Sequence, residues 1–556
     1  MAGSLSYQSP CTVYPESTGS PGRVTTPLGD LYFANVFGGT VSMARQLGRM
    51  SASEIREGAQ SFLGHFTEDV LEALFHRRAL GPARWAAQRL VLSRIERTLP
   101  DDYLAVLRAY AEGGGVDVDN AVAAQLLWDL WSLVQEAPVG PVQATASAAR
   151  RRSPLLDAFS LYLPRTDGGP LHLRWMDNAA VDRWDRKQVL AFFHPDRGLS
   201  YALLSSVGFL TGMPVGMNVA GLALSVEPGG RGGLRRDGVP LGPATREVLA
   251  GAQTIEEAVA ILRQSSPLSP WRYLMTEGDT GRAAVFDASI GELEWVQGEA
   301  PQVFEGVAAA PGYQTERIQR WHRGRRARLD EALSGWDPDR EDKVYRSLMR
   351  ISPLSGLGNV SAVVMEPAAR RLWVAAGRSP VGRRWFVPFH IKSGGGGFDT
   401  SVRPLKAGEW ESTPHGRALE QLRHALQLQS SGEPPQRILI ALEHCLALYP
   451  DEPGHHILAG LMALKAQRGR RAEGAFRRAL NLLEDPGHRA EVGLYLAWAL
   501  DLEDRRKAAR KLYDQLRSDP TMEASLKARA RNYRRRRFRS VDAQALEIDF
   551  LLATVH

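Results

Sequence analysis

The run Ala158-Phe159-Ser160-Leu161-Tyr162-Leu163-Pro164, the turn Thr166-Asp167-Gly168 and the run Leu171-His172-Leu173-Arg174-Trp175-Met176-Asp177 set the class of fold. Short, largely alternating apolar runs separated by a Gly-containing turn read as two neighbouring strands. Further along the chain, Val189 to Phe193, Tyr201 to Ser206, Leu222 to Val226, Ala283 to Asp287 and Leu293 to Val296 have the same character. Two helical stretches, Thr254 to Gln264 and Arg317 to Ser334, interrupt them, and strands resume at Ser361 to Met365 and Leu372 to Ala376. Strands in blocks with segregated helices predict an α+β layered sandwich.

Upstream the period is helical. Met43, Leu47 and Met50 share a face, and Ile55 to Leu80, Ala83 to Leu99 and Asp119 to Val134 read as helices, with stops at Pro82 and Pro100 and a turn at Gly113 to Gly115. Residues 38–137 are therefore expected to form a helical leader, preceded by an irregular segment, 1–37, and followed by an exposed linker, 138–154. Met1 to Pro27 has neither the apolar core nor the early basic cluster of a signal peptide. Ala121 to Val134 is too short and too interrupted by Asp to cross a bilayer of about 30 Å.

Downstream of the sandwich, 155–392, the Gly-rich stretch 393–414 reads as a flexible joint. Residues 415–556 then show helices alone, with Pro450, Pro486 and Pro520 spaced 36 and 34 residues apart and each closing an amphipathic helix. Gly460, Ala472, Phe476 and Ala479 fall where small and aromatic residues pack two antiparallel helices. A helical period near 34 residues resembles tetratricopeptide repeats, the other reading being an ordinary helical bundle. Such repeats present a concave surface, so a protein or peptide partner is expected there. The net charge of +7 resides mostly in this region, and eight basic residues between Lys527 and Arg539 meet no acid. That stretch reads either as a polyanion or phosphate surface or as a solvated helix face; no aromatic platform or base-reading motif accompanies it, and nucleic acid is not expected.

The 556 residues, 44% apolar and 24% charged, ask for two to four domains at roughly 100 to 200 residues each. Only Cys11 and Cys445 occur, which excludes a disulfide framework and a Cys-based zinc site and suits a reducing, cytoplasmic compartment. The sequence contains no Walker loop, no Gly-x-Ser-x-Gly elbow, no His-Glu-x-x-His and no Gly-x-Gly-x-x-Gly after a strand. Its thirteen histidines are scattered, so no metal or cofactor is expected.

Chemistry enters through the order of short signals: Thr166-Asp167-Gly168 before Arg174 and Asp177, then Gly216-Met217-Asn218-Val219-Ala220-Gly221, Thr254 to Leu262, Gly278-Asp279-Thr280-Gly281 and Asn359-Val360-Ser361. From Gly38 to Pro388 this series resembles the acyl-coenzyme A:6-aminopenicillanate acyltransferase family of N-terminal-nucleophile hydrolases, relatives of choloylglycine hydrolases and acid ceramidase. The resemblance implies a four-layer αββα sandwich and a small acyl or amide ligand in its cleft. It also implies a Cys, freed by self-cleavage, that attacks an amide or thioester carbonyl with its own α-amine as base. Arg174 and Asp177 match the pair that positions nucleophile and substrate, and Asn218 matches an oxyanion donor. Read without the resemblance, Arg174 and Asp177 are a buried ion pair and Asn218 a turn residue.

The Cys itself is missing. Its position falls on Leu155, Leu156 or Ala158, with Ser153 and Ser160 the nearest hydroxyls, and the family's later Thr-Asn-His stretch becomes Ala310-Pro311-Gly312-Tyr313. Two readings follow: a catalytically degenerate relative coupled to a partner-binding repeat, or an active amide hydrolase or acyltransferase using Ser160, Ser153 or Cys11.

Overall fold

Alternation around Ser160 and Arg174 is realised as strand pleat in the computed structural model, which describes residues 11–17, 20–27, 29–50, 52, 99, 101–118, 129, 156–178, 184–206, 210, 214–229, 235, 238–306, 313–340, 344–520, 522–546 and 548–550. Three strands come first, β1 (Thr12–Tyr14), β2 (Gly22–Thr26) and β3 (Gly29–Gly38), then helices α1 (Thr40–Met50) and α2 (Asp101–Gly114). The sequence-predicted pair is β4 (Leu156–Leu163) and β5 (Leu171–Asn178), followed by β6 (Gln188–Pro195), β7 (Tyr201–Ser206), β8 (Val215–Asn218) and β9 (Leu222–Pro228). Helices α3 (Leu241–Gly251) and α4 (Ile255–Ser265) precede β10 (Trp271–Glu277), β11 (Ala283–Asp287), β12 (Glu292–Trp295) and β13 (Gln302–Glu305). After α5 (Tyr313–Leu333) and α6 (Val344–Ile351) come β14 (Asn359–Glu366), β15 (Arg371–Ala376), β16 (Trp385–Lys392), β17 (Gly395–Phe398) and β18 (Leu405–Lys406).

Two sheets result. One has ten strands in the order β1-β2-β3-β6-β7-β8-β9-β10-β11-β12; the other has β13-β4-β5-β14-β15-β16-β17, with β18 beside β16. Pairing is antiparallel except between β3 and β6, whose parallel register sets Asn35 beside Phe192 and Phe37 beside His194. The turn between β4 and β5 uses Gly168 and Gly169 at φ +75° and +71°, a conformation that side-chain-bearing residues avoid. Val24, Leu31, Phe33, Leu190 and Phe192 of the first sheet share a core with Val363, Val374, Val387, Phe389 and Ile391 of the second. Burying each such side chain contributes roughly 1.5–3 kcal/mol, and this apolar filling holds the two inner faces together. On the first sheet, α1 packs on β3 and β6, α3 on β8, and α4 on β10 and β11.

The α+β expectation is met by two sheets and a helical C-terminal region. Segment 1–37, expected to be irregular, instead holds β1, β2 and β3, because Gly29-Asp30-Leu31-Tyr32-Phe33 alternates and finds β6 as a parallel partner. The Gly-rich joint, 393–414, contains β17, which pairs with β16. Glycine is required there by close approach: a Cβ on Gly396 would stand 2.1 Å from the Phe192 ring. The predicted helices Ile55 to Leu80 and Asp119 to Val134, nearly all of Ala83 to Leu99, and the linker 138–154 fall outside the described residues apart from Leu99 and Asp129.

The chain divides into two compact units, Met1–Ala310 with Glu331–Gly408, and Pro311–Asp330 with Glu409–His556. In the second, α7 (Pro414–Ser430), α8 (Pro435–Leu448), α9 (Pro453–Lys465), α10 (Gly469–Leu482), α11 (Pro486–Leu502), α12 (Arg506–Ser518) and α13 (Ala524–Arg535) follow one another, and each packs on the next. A short α14 (Ser540–Gln544) comes last among the described helices. Pro450 and Pro520 stand just past the ends of α8 and α12, whereas Pro486 opens α11, a position that suits proline because no intrahelical donor is lost there. Gly460 of α9 lies against Phe476 of α10, where a Cβ would be 2.4 Å from a ring carbon. Arg320 of α5 is buried against Glu491, at 2.6 Å, and Glu523. The basic stretch is in part neutralised at the surface: Arg534 pairs with Asp514 at 2.5 Å, Arg536 with Asp542 at 2.8 Å and Arg537 with Asp504 at 2.6 Å. Among the described residues no helix is long and apolar enough to cross a membrane.

Candidate active site between the two sheets

Strands β4 and β5 present alternate side chains to the first sheet, and in register Ser160 lies opposite Arg174. Across the interior, β9 offers Ser225 and Glu227, two residues apart and therefore on one face, and β10 adds Thr276. The polar side chains meet. Ser160 Oγ donates to Glu227 Oε1 at 2.6 Å, and Ser160 and Ser225 hydroxyls lie 2.7 Å apart. Ser225 Oγ is 2.7 Å from His172 Nε2, and His172 Nδ1 is 3.1 Å from Thr276 Oγ1. Arg174 donates to Glu227 Oε1 at 3.2 Å and to the Val226 carbonyl at 3.0 Å.

Proton counting fixes the direction of this chain. Ser160 has one hydrogen and gives it to Glu227, so Ser225 must donate to Ser160. His172 Nε2–H must then donate to Ser225, which leaves Nδ1 to accept from Thr276. Burial, assisted by the Arg174 charge, pushes His172 down to about 3, so the ring is neutral and holds that tautomer. Glu227, not His172, is the group that receives the Ser160 proton. All six residues are enclosed, with Ser160, His172, Ser225 and Thr276 fully buried and Arg174 and Glu227 each 2% exposed.

The sequence-predicted residues separate here. Ser160 and Arg174 come together. Asp177 does not join them, because a spacing of three along a strand reverses the face: Arg174 points with His172 toward Glu227, while Asp177 shares the face of Trp175, whose indole donates to Ser355 at 2.9 Å. The ion-pair reading of Arg174 is half right, since its partner is Glu227. Asn218 closes β8, and its amide hydrogens go to the carbonyls of Leu249, at 3.0 Å, and Ala252, at 2.7 Å. Its Oδ1 accepts from the amides of Ala220 and Leu222, both at 3.1 Å, so the side chain fastens the β8–β9 turn to the end of α3 and has no donor left for an oxyanion in this arrangement. Cys11 sits in the inter-sheet core, and burial pushes its thiol up to about 11, away from the reactive thiolate. Ser153, Leu155 and Ala310 to Gly312 fall outside the described residues.

Sequence reasoning missed His172, Ser225, Glu227 and Thr276. A signal existed: Ser225 and Glu227 are polar at every second position of an otherwise apolar strand, which places them on one face of a buried sheet. Among the described residues no cluster of three or more His, Cys, Asp or Glu side chains could hold a metal.

A model of the acyl-coenzyme A:6-aminopenicillanic acid acyl-transferase family matches residues 185–290. That stretch carries β6 to β11 with α3 and α4, and so includes Asn218, Ser225, Glu227 and Thr276 but not Ser160 or Arg174. Among solved structures, the Caenorhabditis elegans N-acylethanolamine-hydrolyzing acid amidase (NAAA) ortholog matches at 14% identity and TM-score 0.30, over 38% of this chain and 93% of that one. No curated protein matches.

Proposed function

We propose that the chain is an N-terminal-nucleophile hydrolase-like protein, related to amide hydrolases and acyltransferases and built as an αββα sandwich, whose nucleophile position has degenerated and whose tetratricopeptide-like helical unit binds a protein partner. The observation that carries the reading is the setting of Ser160. An N-terminal nucleophile needs a free α-amine beside its hydroxyl, yet Ser160 lies inside β4 with neighbours Phe159 and Leu161 paired to Trp175 and Leu173. Cleavage before it would cut a strand paired on both sides, with β13 and β5, and Ala158, one of the positions matched to the family's Cys, carries no nucleophile. The sandwich then serves as a body that retains a small acyl or amide ligand site. Its helical unit, with Phe476, Leu464 and Leu496 between neighbouring helices, leaves a concave side for a peptide, acidic where it meets the basic stretch Lys527 to Arg539.

One observation favours the active alternative: the Ser160 proton already points at a carboxylate 2.6 Å away, the arrangement of a hydroxyl with a general base. Intact mass and an electrophilic amide or β-lactam probe separate the two. The degenerate protein keeps its 61.2 kDa mass and carries no adduct on Ser153, Ser160 or Cys11. Two fragments cut before Ser153 or Ser160, or a stoichiometric adduct on any of the three, establish the enzyme instead.

A further inference from the structure

At one rim of the inter-sheet space the apolar filling gives way to a second set of polar side chains. Along β3 the inward positions run Leu31, Phe33, Asn35 and Phe37, and along β6 Leu190, Phe192 and His194. Asn35 and His194 thus follow the last buried phenylalanines, and Phe37, 47% exposed, stacks on the His194 ring with centroids 4.7 Å apart. Ser200, just before β7, lies 2.9 Å from His194 Nδ1, and Asn35 Oδ1 lies 2.8 Å from His194 Nε2.

The orientation of Asn35 is fixed by four contacts. Its Oδ1 accepts from the Gly396 amide at 2.9 Å, and its Nδ2 donates to the Gly396 carbonyl at 2.9 Å and to Glu16 Oε2 at 2.6 Å. Glu16 Oε1 also accepts from the Asn35 main-chain amide at 2.5 Å. Because Oδ1 only accepts, His194 must carry its hydrogen on Nε2; Nδ1 is then a bare acceptor, and the Ser200 proton is directed at it. Burial holds the imidazole below its ordinary range, so the ring is neutral near pH 7 and able to take a proton. Ser200 Oγ in turn accepts from the Gly394 amide at 3.2 Å. Beside it the chain leaves room: a Cβ on Gly394, Gly395 or Gly397 would meet no atom within 4 Å.

We propose that Ser200, His194 and Asn35 form a nucleophilic centre, separate from the inter-sheet cluster of Ser160, that accepts an acyl group from an ester with an apolar portion resting on Phe37. Ser200 Oγ attacks the ester carbonyl carbon as its proton passes to His194 Nδ1. The bond from that carbon to the alcohol oxygen breaks, and the alcohol leaves with the proton from Nδ1. Water then adds to the acyl-serine, giving one proton to His194; the bond to Ser200 Oγ breaks, that proton returns to Ser200, and the carboxylic acid departs. Asn35 holds the ring and its tautomer, and the Glu16 carboxylate behind it polarises the amide toward the imidazole. Among the described residues the hydrogen-bond partners of His194 are Ser200 and Asn35 rather than a carboxylate, which makes an ester, with its better leaving group, the fitting substrate rather than an amide.

A fluorophosphonate carrying an alkyl or aromatic tag, applied to the full chain and followed by peptide mapping, tests this. One adduct on Ser200 is expected, formed roughly a hundredfold more slowly in His194→Gln, and hydrolysis of p-nitrophenyl butyrate is lost in Ser200→Ala. Circular dichroism confirms that both variants stay folded, and the mapping of the unmutated chain stands without them. Absence of an adduct on Ser200, or a rate unchanged in His194→Gln, overturns the proposal. Mapping keeps this apart from the degenerate-nucleophile reading, whose failure is an adduct on Ser153, Ser160 or Cys11.

Discussion

Among the six described residues of the cluster around Ser160, Glu227 is the one carboxylate, and it answers both Arg174 and the Ser160 hydroxyl. Removing one member of a buried pair leaves the other charge enclosed without compensation, a loss of about 3–5 kcal/mol. Glu227→Leu is therefore expected to destabilise the sandwich by that much in urea unfolding, and Arg174→Met with Glu227→Leu to recover part of it. His172 adds a pH dependence. Its folded value of about 3 lies below the ordinary 6.5, so between those limits the unfolded chain binds a proton that the folded chain excludes. Stability from this group is complete above 6.5 and is lost as pH falls toward 3. His172→Gln should flatten the fall in urea midpoint between pH 6.5 and 4; an unchanged slope would show that His172 is protonated in the fold. Arg174 and Ser160 were legible as candidates because a motif surrounds them. Their partners were not, since Ser225 and Glu227 lie more than fifty residues away and only sheet stacking brings them near.

Asp177 shows how a strand overrules a motif. Read as a string, Arg174 and Asp177 are close; a pleat of period two sends them to opposite faces, where on a helix a spacing of three would have kept them together. The stretches read as strands from Ala158 onward all overlap strands, because alternation survives burial of one face. Strands β10 and β16 escaped notice since polar residues (Arg272, Thr276 and Glu277; His390 and Lys392) and Pro388 interrupt their apolar runs, and β17 because glycines signal looseness until a neighbour requires them. Gly396→Val puts branched carbon into the Phe192 ring, and overpacking of this kind is expected to lower stability by about 1–3 kcal/mol. In a thermal melt Gly397→Val, where a Cβ meets nothing within 4 Å, serves as the control and should melt close to the unmutated chain.

The division of the chain does not follow its order. Residues 311–330 belong with the helical unit although sandwich strands continue after them, and nothing in the local pattern of α5 announced this; its Arg320 meets Glu491 and Glu523. Arg320→Met should destabilise the helical unit by about 3–5 kcal/mol, with Arg320→Met and Glu491→Gln together less damaging than the first alone, as read by unfolding of the full chain. Truncation at residue 409 removes Glu491 and Glu523, the carboxylates that Arg320 meets, so the shortened protein is expected to expose that part of α5 to protease while the two sheets keep their circular dichroism signal. Loss of the sheet signal as well would mean that the sandwich cannot stand without the helices.

Synthesis gives this arrangement a timetable. Arg320 leaves the ribosome 171 residues before Glu491 and 203 before Glu523. At roughly 5–20 residues per second, that is an interval of about ten to forty seconds. Throughout it, the nascent helix carries a charge destined for burial whose carboxylate partners Glu491 and Glu523 are not yet made. The later strands emerge in the meantime, so sheet assembly proceeds past an unfinished segment, and a chaperone that shields residues 313–330 would act in that interval.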